Sequence, residues 1–125
     1  MELIRRDQLP AQSLPGRVIQ SAVGKGAAMA SGKMTVGFGR YAPESGPMEP
    51  HQHAEETVFV VAARDGWVRY GDNPSRLGPE IRLETGMVLH VPELEWHQFG
   101  FAENGFVDVL FCYGQVDHIR PEEIR

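Results

Sequence analysis

The chain has 125 residues, 42% of them hydrophobic and 23% charged, with a formal net charge of −5. That is one domain's length at an ordinary globular composition, and the mixed, net acidic charge offers no basic face to a nucleic acid. No apolar run approaches the ~20 residues that cross a bilayer. The N-terminus lacks a signal peptide's apolar stretch, and the single cysteine, Cys112, excludes an internal disulfide and fits a reducing cytoplasm.

Residues 1–22 are loosely patterned and read as an N-terminal arm, placed at a dimer interface because an edge strand invites pairing. Beyond it, glycines and prolines punctuate short runs of Val, Ile, Phe, Tyr and Thr, the pattern of an all-β domain. Strands are expected near 16–23, 33–41, 57–63, 67–70, 80–83, 87–91, 96–101 and 106–113. Met34, Val36 and Phe38 share one side of their strand; Val107, Val109 and Phe111 share one side of theirs. Arg64-Asp65-Gly66 is expected to close a hairpin, and Glu103-Asn104-Gly105 to form a similar turn. Pro121 opens a helical turn in the tail. Short strands with frequent turns point to a sandwich or closed barrel.

The chemistry lies in the middle of the chain. His51 and His53 are two apart, so on an extended segment both imidazoles face one way. Glu55 and Glu56 follow, and His97 sits in a later strand. Neutral imidazoles with a carboxylate are a standard donor set for a first-row metal, and a rigid wall carrying them leaves coordination positions open. A His-x-His pair in a surface loop is more often only solvated, so spacing alone leaves both readings open. His90 and His118 read as ordinary strand and tail residues.

Two blocks resemble the cupin superfamily. Its first motif, Gly-x5-His-x-His-x3,4-Glu-x6-Gly, is matched by Gly46 to Gly66 with His51 and His53; its second, Gly-x5-Pro-x-Gly-x2-His-x3-Asn, by Gly86, Pro92 and His97. There are departures. One residue is missing between Gly46 and His51, the glutamate comes early, Leu94 replaces a glycine and Phe101 an asparagine. Strict spacing puts the glutamate at Thr57 or Val58. Aligning on the following strand selects Glu56, which shares parity with Val58 and Val60, with Glu55 in reserve. Leu94 implies a different turn at the barrel mouth, and the connection 70–80 is expected to cover or frame a pocket.

The resemblance implies a single cupin domain over 1–125, a double-stranded β-helix (jelly-roll, RmlC-like) barrel whose body is 33–113. It implies one divalent transition metal (Fe, Mn, Ni or Zn) held by His51, His53, Glu56 and His97, a small-molecule ligand or substrate, and a cytoplasmic homodimer. The implied function is a sugar or sugar-acid isomerase or epimerase, with Glu55 or His90 as the proton carrier. A non-heme metal dioxygenase and a non-catalytic binding or sensor module are the alternatives. Phe38, Val58, Phe99, Val109 and Phe111 are candidate pocket walls, Trp67 and Trp96 candidates for the pocket or an interface, and Arg40, Arg69 and Tyr41 candidates for reaching a carboxylate.

Overall fold

The computed structural model describes residues 1–123. Eight strands make one curled sheet: β1 (Gln12–Leu14), β2 (Arg17–Gly24), β3 (Met29–Ala30), β4 (Thr35–Tyr41), β5 (Glu56–Gly71), β6 (Ile81–Arg82), β7 (Val88–Val91) and β8 (Trp96–Tyr113). The order is β1-β2-β4-β8-β5-β6, with β3 on β2 and β7 on β5. This is the expected all-β jelly-roll barrel. The helical turn expected at Pro121 is a 3-10 turn over Pro121–Glu123, and the two residues after it lie outside the described residues.

The hairpin expected at Arg64-Asp65-Gly66 is absent. β5 runs through this tripeptide as one strand and β8 through Glu103-Asn104-Gly105, and the two pair antiparallel on either side of a corner where residues 102–105 stand opposite Asp65 without ladder partners. The register shifts between Arg64 and Gly66, so the supposed turn residues form a paired irregularity that bends both strands together. Asp65 takes a φ of 49° there. A Cβ on Gly105 would lie 2.6 Å from the Arg64 carbonyl oxygen and 2.7 Å from that of Asp65, so only glycine lets the strands touch at this corner. Arg64 clamps it by donating two bonds to the Asn104 carbonyl.

The interior is built from alternating residues. Val58 and Val60 of β5 meet Phe111 and Val109 of β8 in register, and Val58, Val60, Val107 and Val109 are fully buried, each contributing about 1.5–3 kcal/mol by burial. In β4 the parity is the reverse of what hydrophobicity suggests. Gly37, Gly39 and Tyr41 are the buried side, while Met34 is exposed and Phe38 lies on the outer face beneath the Arg6 guanidinium, 4.2 Å from its ring centre. A Cβ on Gly37 would lie 2.7 Å from the Phe111 ring, so the small residues make room for β8's aromatic side chains. Phe38 is therefore not a pocket wall.

The N-terminal residues pack on the outer face of this chain's own sheet. Arg6 grips Asp108 with two bonds of 2.7 and 2.6 Å, and Gln20 donates to the Arg6 and Leu9 carbonyls. The connection after β5 folds back on its own strand: Gly78 N–H reaches the Tyr70 carbonyl, and Arg69 donates to the carbonyls of Gly78 and Leu77. None of its residues lines the cavity beside the histidines. Among the described residues, no helix is long and apolar enough to cross a membrane.

Candidate metal centre

His51, just ahead of β5, and His97, in β8, form an isolated antiparallel bridge in which each N–H donates to the other's carbonyl at 2.9 Å. Directly opposed residues project to one face, so the backbone pairing itself sets the two imidazoles side by side, with ring centres 4.3 Å apart. His53 keeps the same face two residues on. Its carbonyl accepts the N–H of Leu94 at 2.9 Å, and Leu94 has a φ of 63°. The leucine takes the left-handed conformation usually left to glycine.

One ring nitrogen from each of His51, His53 and His97 lies within 4.8 Å of the others. The Nδ1 atoms face backbone carbonyls: Glu49 at 3.1 Å from His51, Ala54 at 2.8 Å from His53 and Glu95 at 2.9 Å from His97. A carbonyl oxygen only accepts, so in His53 and His97 the proton sits on Nδ1 and the lone pair on Nε2. Those two Nε2 atoms stand 3.0 Å apart. Two acceptors at that distance repel unless a cation lies between them. This donor chemistry, with each ring oriented by a backbone carbonyl, fits a divalent metal.

The electrostatics agree. Burial, then the neighbouring His51 and His53, push His97 down to about 3, and burial lowers His53. Both rings are neutral near pH 7, the form that ligates. Glu56 opens β5 on the inward side, as parity predicts, with Oε1 3.5 Å from His53 Nε2. It stands outside the three-histidine cluster but against it. Burial raises its pKa to about 7, offset by a hydrogen bond from Tyr113 and by the charge of Arg17. Glu55 turns outward: its carboxylate pairs with His90 Nε2 at 2.7 Å, both side chains more than half exposed. Neither expected proton carrier faces the interior.

A cavity of about 440 Å³ opens beside His51, His53 and Glu56. Its walls include Ile19, Met48, Phe111 and Ile119, with the side chains of Tyr41, Tyr113 and Arg17. Burial raises the Tyr41 and Tyr113 hydroxyls above their ordinary range. Of the residues expected to reach a carboxylate, Tyr41 lines the cavity. Arg40 is exposed over the Phe106 ring, and Arg69 is spent on its own connection. Of the expected walls Phe111 is in place, whereas Val58, Phe99 and Val109 are core residues behind it, and Trp67 packs against Gly100. Sequence reasoning missed Arg17, whose parity with Ile19 was the available signal, and Ile119. Ile119 is buried from the tail, its carbonyl 3.4 Å from the Ala54 nitrogen, and no local pattern marks it.

No family model matches the chain, and no curated protein matches it. Solved structures do. The polyketide cyclase RemF from Streptomyces resistomycificus aligns with a TM-score of 0.71 at 18% identity, over 90% of this chain and 78% of that one. A cupin-like protein from Thermotoga maritima aligns at 0.58 and 19% identity, over 80% and 69%. The DMSP lyase DddQ from Ruegeria pomeroyi aligns at 0.65 and 16% identity, over 86% of this chain but 57% of the lyase. These likenesses show the fold: it is that of the cupins.

Proposed function

We propose that this cupin-fold protein is a metal-dependent enzyme acting on a small organic molecule. In this reading His51, His53 and His97 hold one divalent transition metal, with Glu56 as the adjoining carboxylate ligand. The observation that carries it is the pair of Nε2 lone pairs, 3.0 Å apart, held by carbonyl-fixed imidazoles beside a cavity large enough for a substrate. When bound, such an ion supplies a Lewis acid that polarises a substrate oxygen and eases loss of a neighbouring proton.

The chain's own residues do the rest. Ile19, Met48, Phe111 and Ile119 offer an apolar patch to a substrate, within a lining that also carries Ser21, Thr35, Tyr41 and Tyr113. Glu56, steadied by the Tyr113 hydroxyl, is the carboxylate at the cavity that can accept a substrate proton when it is not bound to the ion. The reaction is proton transfer on carbon: elimination, cyclisation or isomerisation. Solved structures of similar fold include a cyclase and a lyase, which supports the proton-transfer reading by analogy of fold only. All three histidines come from one chain, so the site does not require the homodimer expected from the sequence.

The test is elemental analysis of tag-free protein, expected to give about one metal per chain. His51→Ala and His97→Ala are expected to lose it, and Glu56→Gln to weaken it more than Glu55→Gln. Full retention in both histidine variants sinks the site. Oxygen consumption with substrate turnover would replace proton transfer by dioxygenase chemistry, and tight ligand binding with no turnover by a sensor role.

A further inference from the structure

Hydroxyl side chains of Ser21, Thr35, Tyr41 and Tyr113 line the cavity. Two of them are engaged: Thr35 Oγ1 donates to the Gln115 carbonyl at 2.7 Å, and Tyr113 donates to Glu56. Ser21 is only half-buried. Tyr41 differs from all three. It ends β4 on the inward side and is 7% exposed, its ring stacked on Phe99 with centres 4.6 Å apart and planes at 19°. Phe99 in turn meets His97 of the same strand edge to face, with ring centres 6.3 Å apart. The phenol is thus fixed to the strand that carries a histidine of the metal centre. Its hydroxyl lies over Gly39, where a Cβ would meet it at 3.6 Å and Ile19 Cδ1 at 3.5 Å, on the side of the cavity that Ile19 lines. Among the described residues nothing hydrogen-bonds this hydroxyl, and none of their buried oxygens is sealed away without a partner, so the oxygen opens to the cavity. A donor left unmade in such a place costs about 1–3 kcal/mol, and a phenylalanine would pack there without it.

We propose that Tyr41 is a catalytic residue and that the substrate is a carbonyl compound whose oxygen accepts the Tyr41 hydrogen bond. The C–H bond next to the carbonyl breaks and its proton passes to the Glu56 carboxylate. The electron pair forms a carbon–carbon double bond, and the carbonyl π electrons move onto oxygen as an enolate. A donor already aimed at that oxygen strengthens its hydrogen bond as the charge builds and needs no reorganisation to do so. Tyr41 keeps its own proton throughout: a phenol is neutral at ordinary pH, and burial, then the Glu56 charge, hold the proton more tightly still. The assignment rests on the cavity being the substrate site of the proposed enzyme, not on which metal serves it.

The probes are acetophenone and α-methylstyrene, in which a CH2 group stands in place of the carbonyl oxygen. Each is titrated into the full chain, metal-loaded and again after chelation, with metal content measured on the same samples. The ketone is expected to bind better in both states. Tyr41→Phe deletes one oxygen and keeps the stacked ring, and should cut that preference about twofold to tenfold, the net worth of one hydrogen bond. In chelated protein the carbonyl stretch of bound acetophenone should lie at lower frequency in the wild type than in Tyr41→Phe, a shift that a merely structural tyrosine would not cause. Tyr70→Phe, at an exposed position outside the cavity, should change neither readout. Failure of the ketone to bind, equal affinity of the two probes, or a preference and a stretch that Tyr41→Phe leaves unchanged overturns the assignment. A Tyr41-dependent preference in protein that binds no metal sinks the metal reading and supports this one.

Discussion

Two buried groups of the site place opposite pH dependences in the metal-free protein, and Glu56→Gln separates them. His97 has a pKa of about 3 when folded against 6.5 when exposed. Between those values the unfolded chain binds one more proton, so stability rises with pH at about 1.4 kcal/mol per unit and is lost as pH falls through the window. Glu56 stands at about 7 when folded against 4.5. Between those values the folded chain binds the extra proton, and stability falls as pH rises with the same slope. From pH 4.5 to 6.5 the two cancel, leaving the contribution of His53, whose pKa is also lowered by burial. Glu56→Gln removes the opposing slope. Urea unfolding of chelator-treated protein at pH 4.5, 5.5 and 6.5 should then show the variant gaining about 2 kcal/mol on the wild type across the series. Parallel curves would show that these groups do not titrate as their burial requires.

Two further variants test the scaffold. Leu94 is 45% exposed and left-handed, so Leu94→Gly relieves about 1–2 kcal/mol of backbone strain against a smaller entropy cost, and thermal melting should rise by a few degrees. A melting point lowered as far as that of Leu94→Ala would refute the strain. Asp108→Ala removes two of the three acceptors of the Arg6 guanidinium, leaving Gln20 Oε1, and should cost about 1–3 kcal/mol and free the first residues to hydrogen exchange; unchanged protection at Arg6–Gln8 would mean that the Gln20 contacts alone anchor the arm.

What was legible in the sequence was whatever a period of two or a short motif could carry. His51 and His53 share a face by parity, and Glu56 rather than Glu55 points inward because it keeps step with Val58 and Val60. The strand positions followed from the same alternation. Two kinds of feature were hidden. The first is the difference between a hairpin and a bend: Arg64-Asp65-Gly66 has ideal turn chemistry, and only the matching irregularity about forty residues later, at Gly105, shows that the strands continue. The second is the sign of a face. Parity groups Met34, Val36 and Phe38 but cannot say that β4 turns its glycines inward, because that depends on the bulk of Phe111 across the sheet. Both hidden features bear on the site. The shared bend lets β5 and β8 pair on both sides of it, so that Glu56 lies opposite Tyr113 at one end. The inward glycines of β4 give Phe111 its place in the cavity wall. The histidine cluster is thus a local sequence signal, whereas the chamber around it is a property of distant residues packed together.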